Sequence, residues 1–346
     1  MRNPIKISII ITTYNAESCI RRILDCIFSQ TFRDFEVIAV DDKSSDNTLD
    51  ILNQISDERF RYIERSDNSG GPYMPREDGV RIARGDWITW VDVDDYVDST
   101  YLESLYSAVL KYKVDICSPT MIRVNEKLEA TGWKVPADGF DYKRIYSNLE
   151  AFNMTVPNWK IGMNGPLIRR EVYIRALDVF KKEGKRTSRS DEILSRVLLI
   201  ESNGYVSSKE KYYYIENDES ITSRFNLKYF EWMETNADFL KFVDERFGKS
   251  SKEYLNTLVY DFYSYYSTYL LFAQKVDTEE NYKEGLKRLK KWNDRIPWGI
   301  IIKECKGIKE KGRAIICSSF TLSKIVIFAH CKKCTWSLNN KKIKTR

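Results

Sequence analysis

The chain has 346 residues, 42 % of them hydrophobic, which allows one large domain with an appendage, or two domains, and argues against global disorder. Its net charge of +6 is unevenly placed: residues 301–346 hold twelve Lys and Arg against only Glu304 and Glu310, so the rest of the chain is net acidic and a basic nucleic-acid-binding body is disfavoured. Seven scattered cysteines and an N-terminus that reads straight into a strand point to reduced thiols and a cytoplasmic protein.

Ile5 to Ile11 is β-branched and apolar and reads as a buried strand ending in the turn Thr12-Thr13-Tyr14-Asn15. Ile20, Ile23, Leu24, Ile27 and Phe28 follow at helical spacing. Phe35 to Val40 is a second strand ending at Asp41-Asp42, and Asp46 or Asn47 can cap a helix from Thr48. Phe60 to Ile63 is a short third strand. A Gly70-Gly71 turn leads into a helix through Val80 and Ala83, ended by Gly85. Trp87 to Val91 is a fourth strand, followed by Asp92 and then a helix marked by Leu102, Leu105, Tyr106, Val109 and Leu110. Strands alternating with helices predict an α/β fold with a doubly wound, mostly parallel sheet. In such sheets ligands bind beyond the carboxyl ends of the strands. The polar clusters at 12–15, 41–42 and 92–95 all fall there.

Beyond residue 115 the pattern is less regular. A helix begins near Ser190 with Ile193, Leu194, Val197 and Leu198, and residues 226–300 read as helical and aromatic-rich, with a stripe at Leu255, Leu258, Val259, Phe262, Tyr266, Tyr269 and Leu270. The expected division is 1–225 for the catalytic domain, 226–300 for a helical extension and 301–346 for a basic amphipathic tail. The stretch Ile315 to Ala329 comes nearest to a membrane span but is short and broken by Ser318, Ser319 and Lys324. Interleaved with the basic residues, Ile315, Ile316, Phe320, Ile325, Ile327 and Phe328 suggest peripheral contact with an anionic membrane surface.

Asp92-Val93-Asp94-Asp95 places three carboxylates within four residues, a repulsive cluster that a hard cation such as Mn²⁺ or Mg²⁺ would neutralise. A diphosphate, repelled by bare carboxylates, could be bridged to them by that cation. The bland alternative is a solvated turn before the next helix. Asp41-Asp42 either tie down a loop or accept from a nucleoside, with Thr12 and the ring of Tyr14 nearby. Asp191-Glu192 at a helix start either complement the helix dipole or supply a general base. The only histidine, His330, lies in the basic tail, so a histidine base is improbable. His330 with Cys331 and Cys334 lacks a second ligand pair at zinc-site spacing. Neither a dinucleotide-binding glycine motif nor a P-loop is present.

In order and spacing, Ser8 to Asn15, Ser29 to Val37, Val40 to Thr48, Ala83 to Ile88 and Val91 to Tyr96 resemble the family 2 glycosyltransferases with their GT-A fold, from about Lys6 to Phe225. The resemblance implies a nucleotide-sugar donor, usually a UDP-sugar, inversion at the anomeric carbon, and a glycan or lipid-linked acceptor. It implies that Thr12, Tyr14 and Asp42 contact the nucleoside, that Asp92 neighbours the ribose or diphosphate, that Asn15, Arg76 and Val93 also belong to the donor site, and that Asp94 holds the metal. Asp191 or Glu192 would be the base; Asp191 is the favoured choice, being shorter and nearer the helix start. Tyr212-Tyr213-Tyr214 and Glu219-Ser220-Ile221-Thr222 resemble the segment closing the catalytic domain. Departures are Pro72-Tyr73-Met74-Pro75 before Arg76, Gly165-Pro166-Leu167, Ile215-Glu216-Asn217, and Ser190-Asp191-Glu192 in place of Glu-Asp. The competing readings are an aspartate-dependent phosphotransferase of the haloacid-dehalogenase kind and a non-catalytic sugar-nucleotide-binding subunit.

Overall fold

Alternation along the first strand explains why helices cover both faces of the sheet. In β1 (Ile7–Thr13), Ile7, Ile9 and Ile11 point to one side and pack with Ile20, Ile23, Leu24 and Ile27 of α1 (Ile20–Phe28) and with Leu102, Leu105 and Val109 of α4 (Tyr101–Tyr112). Ile10 points to the other side, against α3 (Tyr73–Ile82). There Gly79 lets the helix close on the sheet: a Cβ at this position would come 2.7 Å from the Ile10 side chain. The structure, a computed structural model, describes residues 4–181, 190–216, 229–276 and 278–343.

The sheet order is β3-β2-β1-β4-β8-β6-β9-β5, with β7 paired to β6. β2 (Phe35–Asp41), β3 (Phe60–Glu64) and β4 (Trp87–Trp90) run parallel to β1, in a register that aligns Thr13 with Asp41 and Asp41 with Glu64. Their carboxyl ends therefore share one edge of the sheet. Beyond β4 the sheet is mixed. β8 (Leu167–Arg169) runs antiparallel to both β4 and β6 (Ile116–Val124), while β9 (Tyr205–Ile215) is parallel to β6. Short β5 (Tyr96–Val97) pairs antiparallel with β9, and β7 (Ala130–Val135) with β6. The expected α/β, GT-A-type architecture is what forms, with an all-parallel first half and a mixed second half in which only β6 and β9 pair parallel.

Several local expectations change. The first strand runs on through Thr13, because the Thr13 carbonyl accepts from Asp42 N–H and the Thr13 hydroxyl from its side donates to Asp41. The second helix, α2 (Thr48–Asn53), is capped by Asp46, whose Oδ1 accepts Thr48 N–H at 3.0 Å, and not by Asn47. Gly85 does not end α3, which stops at Ile82. Its lack of a side chain serves a close approach instead: a Cβ there would lie 2.6 Å from the backbone nitrogen of Ser8. The remaining helices of this part are α5 (Asn148–Asn153), held by a Ser147–Glu150 capping box, α6 (Arg170–Lys181) and α7 (Ser190–Glu201).

The chain divides into two compact units, Met1–Asn217 and Asp218–Arg346. In the second unit α9 (Lys252–Lys275) packs against α8 (Tyr229–Phe247), α10 (Glu279–Asn293), α11 (Trp298–Glu304) and α13 (Phe320–Ile343). α12 (Ile308–Ser318) joins α11 to α13. Leu258, Val259, Phe262 and Tyr269 are buried as their spacing predicts, and Tyr265 and Phe272 join them. Trp298 meets Phe262 edge-on at 5.8 Å, and Asn293 Nδ2 donates to the Tyr265 hydroxyl at 3.0 Å. Residues after 301 are thus no detached tail: Ile301, Cys305, Ala314, Cys317 and Ile327 are buried, and the rings of Phe320 and Phe328 pack on Tyr269. Of the apolar residues expected to face a membrane, Ile315 and Ile325 are exposed, joined by Ile308, Leu322 and Val326. Among the described residues, no helix is long and apolar enough to cross a membrane.

Candidate active site

The shared carboxyl edge of β1, β2 and β4 collects most of the expected residues. At the end of β2, Asp41 is spent on architecture: it accepts from the hydroxyls of Thr13 and Ser44 and from Ser44 N–H. Asp42, also buried, accepts Ser69 N–H at 2.9 Å and the Ser69 hydroxyl at 2.8 Å, with Arg65 Nε 3.0 Å away. This carboxylate is held rigidly at the rim, between the β1 turn and the loop before α3. Tyr14 is 54 % exposed, so a ring face is open beside it. Asn15 adopts a left-handed conformation (φ 49°), and its carboxamide oxygen accepts Ser45 N–H at 2.8 Å. Its visible task is joining the two strand-end loops. Thr12 is half-buried at the end of β1.

After β4 the acidic cluster separates by orientation. Asp95 turns inward, almost fully buried, and accepts Ile215 N–H at 3.0 Å; burial and the charges of Asp92 and Asp94 push its carboxyl well above the ordinary aspartate range. It fastens the turn to β9 and leaves two carboxylates at the site, not three. Asp92 accepts from Arg76 Nη2 at 3.0 Å, and its own N–H donates to the Tyr212 hydroxyl oxygen at 3.1 Å. Arg76 is itself 5 % exposed and lies 4.5 Å over the Trp90 ring, and its Nε has no hydrogen-bond partner among the described residues. A buried guanidinium with a donor to spare favours an anion. Val93 is half-buried against the core beneath the turn. Asp94 is half-buried, and burial, then the neighbouring charge of Asp92, raise its carboxyl. Arg22 of α1 donates to the Asp94 carbonyl at 2.6 Å, which sets the turn.

The two acids at the start of α7 have different surroundings. Asp191 senses Arg76 and Asp92: burial raises its carboxyl, Arg76 opposes this, and Glu192 and Asp92 add to it. Its Oδ1 accepts Glu192 N–H at 2.8 Å. Glu192 Oε1 instead accepts from Trp159 Nε1 at 3.0 Å and from Arg196 Nη2 at 3.1 Å, and the guanidinium of the fully buried Arg196 stacks 4.6 Å over the Trp159 ring. Asp191 thus lies within electrostatic reach of Arg76 and Asp92, whereas Glu192 belongs to a Trp159–Arg196 network. The i, i+4 spacing of Glu192 and Arg196 is readable in sequence; Trp159, Arg65 and Arg22 carry no local signal and were missed. The segment Glu219 to Thr222 lies outside the described residues, as does the side chain of Cys334.

An Mn²⁺ or Mg²⁺ ion fits the paired Asp92 and Asp94, because such ions take one or two carboxylates and complete their shell with phosphate oxygens and water. Among the described residues no three His, Cys, Asp or Glu side chains converge on one point. A separate cleft of about 560 Å³ opens at the opposite, amino end of the strands, lined by Arg33, Arg59, Arg61 and Arg84. Three of these arginines are engaged with acids, Arg59 with Asp57 and Arg61 and Arg84 with Glu36, and Arg33 donates to the Phe28 carbonyl.

Residues 8–174 match the model of glycosyl transferase family 2. Among curated proteins, a poly(ribitol-phosphate) beta-glucosyltransferase of Bacillus spizizenii is 47 % identical over 115 residues, 32 % of this chain and 18 % of that one. Glycosyltransferase GlyA of Streptococcus pneumoniae is 32 % identical over 149 residues, so this chain spans about a fifth of the length of either relative. Glycosyltransferase GlyG of the same species is 25 % identical over 83 % of this chain and 96 % of its own. The crystal structure of S. aureus TarS 1-349 in complex with UDP-GlcNAc superposes with a TM-score of 0.70 at 19 % identity, over 96 % of this chain and 92 % of that one, a likeness of fold. The matched residues 8–174 carry β1 to β4 and the Asp92–Asp94 turn, so the similarity to glycosyl transferase family 2 takes in that part of the candidate site.

Proposed function

We propose that this protein is an inverting glycosyltransferase that moves a sugar from a UDP-sugar to a hydroxyl of a glycan, polyol-phosphate or lipid-linked acceptor. The observation that carries this reading is the gathering of Arg76, Asp92, Asp94 and Asp191 at the carboxyl edge of the sheet. The names of the similar proteins, a poly(ribitol-phosphate) glucosyltransferase and a UDP-GlcNAc-bound TarS, support the choice of donor and of an envelope polymer as acceptor. The same edge suits a phospho-aspartate enzyme less well, because Asp92, the first acid after β4, is already paired with Arg76.

In this reading Tyr14 stacks on the uracil, and Asp42, fixed by Ser69, accepts its N–H. Arg76 sets the Asp92 carboxylate and places positive charge beside the diphosphate. Asp94 and Asp92 are the residues that would hold a divalent cation, which would offset the charge building on the departing UDP. Asp191 takes the proton of the acceptor hydroxyl as its oxygen bonds to the anomeric carbon and the bond to the diphosphate breaks. Its raised carboxyl makes it a better proton acceptor than an ordinary aspartate, provided the pH keeps it ionised. Glu192 braces the helix through Trp159 and Arg196. The exposed Ile308, Ile315 and Ile325 among the basic residues of the second unit would keep the protein at an anionic membrane surface, where lipid-linked acceptors are found.

Release of UDP from a panel of UDP-sugars, with and without Mn²⁺, tests the reading. Asp94→Ala is expected to abolish metal-dependent turnover in a folded protein. Undiminished turnover in this variant, still removed by EDTA, refutes the metal assignment.

A further inference from the structure

Next to the carboxylate edge, the sheet ends in a hairpin whose outer strand is strangely dressed. Every residue of β7 from Ala130 to Lys134 is exposed, yet the strand carries Trp133, 41 % exposed. An exposed indole on a strand at the margin of a sheet invites aggregation and usually marks a contact. Trp133 is not loose. Its ring lies 5.7 Å from that of Tyr214, inclined at 34°, and Tyr214 neighbours Arg123 of β6 in the strand register. Arg123 pairs with Glu216, and Glu216 also accepts from the Thr131 hydroxyl at 3.0 Å, which ties all three strands together. The hairpin turn is rigid as well: Asn125 Oδ1 accepts the N–H groups of Lys127 and Glu129.

This patch is continuous with the candidate site. Ile215, next to Tyr214, donates its N–H to Asp95, and Tyr212, two residues earlier, takes the N–H of Asp92. Tyr214 lies close enough to Asp95, Asp94 and Asp92 for their charges to raise its hydroxyl, after burial. An aromatic pair bordered by a guanidinium, a carboxylate and a hydroxyl is suited to a polyhydroxylated chain: the rings cover the C–H faces, and the polar rim exchanges hydrogen bonds with the hydroxyls.

Resting on the glycosyltransferase reading, we propose that Trp133 and Tyr214 form an acceptor subsite, a platform for a sugar or alditol unit of the polymer next to the one being modified. The subsite contacts the acceptor and not the donor, so it governs acceptor affinity alone.

The test uses the full chain, with two probes, a ribitol-phosphate hexamer and a neutral β-glucan hexasaccharide, titrated by calorimetry at saturating UDP. Trp133→Ala is expected to weaken binding of the preferred probe by about tenfold or more, as loss of an aromatic anchor does, with UDP affinity unchanged. Trp133→Phe, which keeps a ring, is expected to restore most of that loss. Preference for the hexamer assigns the platform to alditol phosphate, and preference for the glucan assigns it to sugar rings. Equal affinity of wild type and Trp133→Ala for the bound probe overturns the proposal. So does failure of wild type to bind either probe, or a wild-type dimer that Trp133→Ala converts to monomer, since the patch would then be a contact between copies. Failure of wild type to bind UDP overturns the underlying reading instead.

Discussion

Replacing the two acids at the start of α7 one at a time separates catalysis from architecture. In Asp191→Asn the shape is kept and the proton acceptor is lost. Loss of a general base costs about 100- to 10,000-fold in rate, equivalent to about 2.7–5.5 kcal/mol of barrier. Donor affinity should be unchanged, because among the described residues the Asp191 side chain hydrogen-bonds with the backbone of Glu192. In Glu192→Gln the acceptor for Trp159 Nε1 survives, but the charge facing Arg196, whose side chain is fully buried, disappears. A charge-assisted hydrogen bond of this kind contributes about 1.5–3 kcal/mol, or about 3–12 °C in melting temperature for a unit of this size. The assay is kcat by UDP release, with donor Kd by calorimetry and the melting temperature of each variant. Wild-type kcat should also fall on the acid side, because a base works only when ionised, and the raised carboxyl of Asp191 moves that fall to higher pH than an ordinary aspartate would. Asp191→Asn should lose this limb. Near-wild-type kcat in Asp191→Asn, together with collapse in a normally stable Glu192→Gln, would refute the reasoning.

Asp42→Ala should weaken UDP binding by about 1.5–3 kcal/mol while leaving kcat at saturating donor nearly intact; calorimetry that finds wild-type affinity removes Asp42 from the nucleoside site. Gly85→Ala drives a Cβ into the backbone of β1 at Ser8 and is expected to cost about 1–3 kcal/mol or more, read as a lower denaturation midpoint. Asp261, half-buried in α9, has its carboxyl pushed up by burial to about 7. Its folded-state pKa lies above the unfolded value, so its contribution to stability is complete at acid pH and is lost as pH rises toward 7. The wild type should lose about 2–4 kcal/mol between pH 4 and 8 relative to Asp261→Asn, and parallel urea-melt profiles for the two would contradict this. Ile315→Asp with Ile325→Asp should abolish pelleting with acidic liposomes if these exposed residues insert; pelleting equal to wild type excludes that surface.

The period-two isoleucines of the first strand, the strand-end acids and the helical stripes made the parallel half of the sheet and its carboxyl edge legible in sequence, because alternation and helical spacing are local properties. So was the place of Asp92 and Asp94, since a residue following a buried strand must lie at that strand's end. Tertiary structure decided which acids face the site. Asp41 and Asp95 are as acidic in sequence as Asp42 and Asp94, but backbone donors and hydroxyls reached only through folding, at Thr13, Ser44 and Ile215, draw them inward. Likewise the choice between Asp191 and Glu192 could not be read from adjacent helical positions. It depends on Trp159 and Arg196 holding one and on Arg76 and Asp92 standing near the other, contacts made across 33 and about 100 residues of chain. The exposed Trp133 and its stacking on Tyr214 were equally invisible, because side chains 81 residues apart become neighbours only when β6 joins β7 to β9.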